Sequence, residues 1–148
     1  MNNKIPPPII ALVCSLGILF SKSFFKEYSN VNNASISILF FLIGIACFFF
    51  AIKLFNKFDT TINPLKPEKA TSLIVSGIYV YSRNPMYLGM LFILISISIR
   101  YNIIGGFISI STFIIYITKF QIIPEEQQLK RIFGEKFINY KKKTRMWL

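Results

Sequence analysis

The chain has no histidine among its 148 residues, which removes the commonest general base, proton shuttle and metal ligand from its chemistry. Cysteine is scarce as well. Cys14 and Cys47 both sit in oily runs without a Cys or His at metal-ligand spacing, so they read as small packing residues and no metal site is expected. Acids number only six against 17 Lys and Arg, and charged residues of both signs make up 16% of the chain. None stands in the middle of an apolar run. Lys22, Lys53 and Arg100 all lie near run ends, which argues against the buried charges that an ion-driven transporter needs.

What is abundant is apolar surface. Hydrophobic residues reach 53% and aromatic residues 16%, too oily for one soluble domain of this length. The composition predicts an all-α integral membrane protein with a single domain over residues 1–148. The formal charge of +11 would suggest nucleic acid in a soluble protein. Here the bases flank oily runs, where lipid headgroups and topology signalling explain them, so the bilayer is the expected partner and nucleic acid is not.

Four spans are predicted, at about 9–25, 36–55, 86–99 and 103–123, the last two forming a hairpin that turns at Arg100-Tyr101-Asn102. Lys4 ahead of the first run raises a signal peptide as the alternative for it, but no small-x-small cleavage site follows and further spans come later. A long polar loop from Asn56 to about Asn84 carries Lys57, Lys66, Lys69 and Arg83, with Pro64 and Pro67 as breakers. From Pro124 the chain turns polar and basic, ending in an amphipathic tail with Lys141, Lys142, Lys143 and Arg145. Positive charge therefore places both termini and the long loop in the cytosol.

Any chemistry is expected at that cytosolic interface, in two segments. The first runs from Ser76 to Gly89. Asn84 before Pro85 reads first as a helix start, Asn as N-cap and Pro as first helical residue; the same helix end also offers free N–H groups where, with Arg83 alongside, a ligand carboxylate could dock. Gly77 suits a tight turn or a close approach to a ligand. Tyr79, Tyr81 and Tyr87 suit an interfacial aromatic belt. In the second segment, Pro124-Glu125-Glu126 reads as a helix first turn, Leu129, Ile132 and Phe133 as one apolar face, and Gly134 as a stop. The paired acids could also hold a ribose, an amine or a cationic cofactor.

Together the two segments resemble the membrane-embedded methyltransferases that include isoprenylcysteine carboxyl methyltransferase and the phospholipid methyltransferases. The shared pattern is Gly-x-Tyr near Arg-His-Pro-x-Tyr-x-Gly, a helical hairpin, then Glu-Glu-x-x-Leu, Phe-Gly and Tyr. It covers roughly residues 73–148, and the opening Lys4-Ile5-Pro6-Pro7-Pro8 is similar to the short bacterial members. Asn84 departs from the pattern's His, and Phe137 from a frequent Tyr.

The resemblance implies an S-adenosylmethionine-dependent methyltransferase in a bacterial inner membrane, binding its cofactor through segments 73–89 and 124–148. Gly77, Tyr79, Arg83, Asn84, Pro85 and Tyr87 would line the pocket from one side. Glu125, Glu126 and Tyr140 would close it from the other. Arg83 and Glu126 are the candidate catalytic residues, the first to orient an anion and the second, with Glu125, to take a proton from an amine. Both are expected at the interface, outside the packed spans. The acceptor class stays broad: a lipophilic or small carboxylate, thiol or amine. The alternative is a catalytically silent four-span interaction protein in which the motifs are helix starts and stops only.

Overall fold

The computed structural model describes residues 5–25, 31–58 and 71–148. Lys4, Pro64, Lys66, Pro67 and Lys69 of the sequence expectations lie outside the described residues. Every regular element described is helical: α1 Pro7–Ser21, α2 Val31–Lys57, a 3-10 turn Gly77–Val80, α3 Pro85–Tyr101, α4 Ile103–Ile117, a π turn Thr118–Ile122, α5 Ile123–Phe133 and α6 Glu135–Lys143.

The apolar runs form these helices where expected, with different ends. Pro6 and Pro7 start α1 two residues early, since proline is at ease in a helix first turn, and the chain leaves the helix after Ser21. Two helical stretches, Asn33–Lys57 and Ile103–Phe133, are long and apolar enough to cross a membrane; α1 and α3 are apolar but shorter. The 27 residues of α2 extend about 40 Å, longer than a hydrocarbon core of about 30 Å. Large apolar side chains such as Leu39, Leu42, Phe49, Phe107 and Ile115 point outward, a surface that suits lipid.

The fourth run departs most from expectation. Pro124 does not open a separate helix. The chain continues through the π turn from α4 into α5, because widening the helix there accommodates a proline that has no N–H to give. Gly134 then ends α5 at φ +53, as its position predicts, and α6 follows. The hairpin also turns where expected, with Asn102 Oδ1 accepting from Gly105 N at 3.0 Å.

α3 packs against α1, α2 and α4. It approaches α2 closely at Gly44 and Gly89, where a Cβ on Gly44 would lie 2.8 Å from Gly89 O. Nearby, buried Ser37 Oγ donates to Ser96 O at 2.9 Å, the kind of interhelical polar contact that membrane helices use. Cys14, Ile18, Tyr87, Met90, Leu94, Phe113, Ile117 and Ile122 form the main core. A second core, Ala51, Ile74, Tyr79, Phe137 and Tyr140, ties the loop and α6 onto α2. Cys14 and Cys47 are free and buried.

Candidate functional site

One end of the bundle gathers the last turns of α2, the start of α3, α5 and the tail. Leaving Ser76 in extended backbone, the chain reverses at Gly77, whose φ of +60 favours glycine, and enters the 3-10 turn. Tyr79 is buried there edge-on to Phe55, with ring centroids 5.9 Å apart. Tyr140 Oη of α6 donates to Tyr79 O at 2.7 Å. Burial pushes both phenols well above their ordinary range, so both stay neutral.

From this turn Arg83 reaches α5. Its Nε and Nη2 both donate to Glu126 Oε1, at 2.9 and 2.6 Å, and its Nη1 donates to Lys141 O at 3.4 Å and to Thr144 O. Glu126 Oε2 accepts from Lys141 Nζ at 2.5 Å. The Arg83 and Glu126 side chains are only 7% and 9% exposed, whereas Lys141 is 51% exposed. Both lie outside the spans expected from the sequence, Arg83 ahead of α3 and Glu126 in α5, yet they are buried. The tail covers them.

That cover is a strap over residues 144–147. Arg83 N donates to Arg145 O at 3.0 Å, Asn84 Nδ2 to Met146 O at 2.9 Å, and Trp147 Nε1 to Thr118 Oγ1 at 3.2 Å. Asn84 stands at the N-cap position, yet its side chain does not cap α3, because the amide is drawn to the strap instead. Pro85 follows it, fully buried, as the first residue of α3.

Beside this cluster a second carboxyl group meets only uncharged donors. Glu125 Oε1 accepts from Tyr87 Oη and from Gln121 Nε2, each at 2.6 Å. Among the described residues Glu125 Oε2 has no partner. Adjacent glutamates thus occupy opposite settings: Glu126 is neutralised by two cations, while Glu125 faces only neutral donors and keeps an open acceptor. A carboxylate so placed can receive a proton or hold a cation.

The structure therefore brings Arg83, Tyr87, Glu125 and Glu126 to one place and joins Tyr79 to Tyr140. Gly77 packs instead against Leu54 of α2. The sequence expectations missed Gln121, Lys141, Thr144 and Met146. Gln121 was findable, lying one helical turn before Glu125. Lys141 was not, since it sits in a basic run that reads as lipid-facing throughout.

Comparison with known proteins gives two matches. A sequence model of the family described as phospholipid methyltransferase matches residues 33–136. An uncharacterized protein of Haemophilus influenzae is 36% identical over 63 residues, which cover 43% of this chain and 100% of that protein. No solved structure gives a significant match.

Proposed function

Because the chain belongs to the phospholipid methyltransferase family, a family of membrane methyltransferases, we propose that it is an integral-membrane enzyme that uses S-adenosylmethionine to methylate a lipophilic or small carboxylate, thiol or amine acceptor. The observation that carries this reading is the meeting of the two segments, Arg83 and Tyr87 from one with Glu126 and Glu125 from the other. The proposal includes four crossings, with both termini and the site in the cytosol. α1 and α3 would cross by virtue of their apolar length and their packing beside α2 and α4.

The donor set suits the cofactor. Lys141, half exposed at the edge of the cluster, fits the cofactor's carboxylate. When bound, S-adenosylmethionine supplies an electrophilic methyl group on a cationic sulfur. The protein's part is then to position the acceptor and exclude water, because positive charge dissipates as the methyl moves and strong base catalysis matters less than alignment. Tyr87 and Gln121 hold Glu125 in one orientation through its Oε1. Its Oε2 is the atom we assign to receive the proton of an amine acceptor. Arg83, clamped by Glu126, gives a carboxylate or thiolate acceptor a fixed cation to approach.

A second reading has its own support. Arg83 and Glu126 are well paired with each other, Lys141 and the strap, as a clasp in a catalytically silent protein would be. Calorimetric titration of the purified protein in nanodiscs with S-adenosylmethionine and its demethylated product separates the two. Saturable binding supports the enzyme. No binding by folded protein supports the clasp.

A further inference from the structure

The 3-10 turn that carries Tyr79 has a second neighbour. Between it and the last turns of α2 lies an open groove of about 600 Å³. Phe50, Leu54, Gly77 and Ile78 wall it, and Lys53, Lys57 and Tyr81 complete its lining. The walls are apolar, and Tyr81 is 73% exposed. Lys53 and Lys57 stand four residues apart on α2, so they share one helix face. Both are exposed, and the ion pairs of Glu126 go to Arg83 and Lys141 instead. Among the described residues no acid lines the groove.

Depth decides what such a groove can hold. On the proposed crossing of α2, whose length exceeds the hydrocarbon core, its C-terminal lysines would stand at headgroup level and Phe50, a turn earlier, would reach toward the acyl region. We propose that the groove binds one anionic membrane lipid, with an acyl chain against Phe50, Leu54 and Ile78 and its phosphate between Lys53 and Lys57. An aminophospholipid fits less well, because its ammonium would meet two like charges and, among the described residues, no acid. The site is separate from the Arg83–Glu126 cluster and does not depend on the cofactor reading. It touches that cluster's support, however: Leu54 Cδ1 lies 2.8 Å from where a Cβ on Gly77 would be, so lipid packed on Leu54 bears on the turn leading to Tyr79 and Arg83.

The test uses the full chain with Tyr81→Trp, in phosphatidylcholine nanodiscs containing a minor fraction of phosphatidylglycerol. Bromine is carried on one lipid or the other, and subtracting the parent's signal removes the contribution of Trp147. At equal bromolipid content, brominated phosphatidylglycerol is expected to quench the new indole about fivefold more effectively, the factor that ~1 kcal/mol for one lysine gives. Adding Lys53→Gln and Lys57→Gln is expected to abolish the preference. Equal quenching by the two lipids overturns the proposal, as does a preference that survives both lysine changes. Loss of the preference on adding inorganic phosphate at constant ionic strength also overturns it, because a free anion would then be the occupant. Cofactor binding is read separately by calorimetry, so failure here leaves the methyltransferase reading standing.

Discussion

Arg83 and Glu126, 43 residues apart, meet through two hydrogen bonds to one carboxylate oxygen, and both side chains are almost wholly buried. Removing one partner of a buried pair strands the other charge. Arg83→Ala is therefore expected to cost about 3–5 kcal/mol, read as a lowered unfolding midpoint in detergent. Arg83→Lys should recover part of the loss, since it restores the charge but not the two-pronged geometry.

Glu125 and Glu126 should separate in their effects. Glu125→Gln keeps an oxygen for Tyr87 and Gln121, so the unfolding midpoint should hold. Labelled-methyl transfer to an amine acceptor should fall about a hundredfold or more, the range for a lost acid–base group. Glu126→Gln removes the countercharge of Arg83 and should lower the midpoint first. A reversed pattern would exchange the roles assigned to the two glutamates.

Trp147 is the chain's single tryptophan, and its indole is tied to Thr118 beside the site. Its fluorescence therefore reports on the strap. Titration with S-adenosylmethionine should shift the emission saturably, at the concentrations where calorimetry detects binding. Unchanged emission during demonstrated binding would show that the strap stays put.

The α2–α3 crossing depends on two residues without side chains. A Cβ on Gly89 would lie 2.9 Å from Gly44 O, and one on Gly44 would lie 2.8 Å from Gly89 O. Gly44→Val is expected to destabilise by about 1–3 kcal/mol through overpacking. Thermal unfolding in detergent checks it. Phe107→Leu, at an outward-facing position, is the control that should change little.

The sequence by itself determined the helical class and the rough places of the helices, because long apolar runs have one way to satisfy their backbone in lipid. It also determined the turn at Asn102 and the break at Gly134, which follow from capping and from a backbone angle favouring glycine. Two motifs far apart in the chain marked the end of the bundle where chemistry was to be sought. Only the tertiary structure decided which residues pair there. Asn84 serves the strap rather than its own helix, Lys141 leaves the basic tail to hold Glu126, and Pro124 lies within a continuous helix. The reason is physical: capping and periodicity act over a few residues, whereas the difference between Glu125 and Glu126 comes from which groups four other segments bring against each carboxylate.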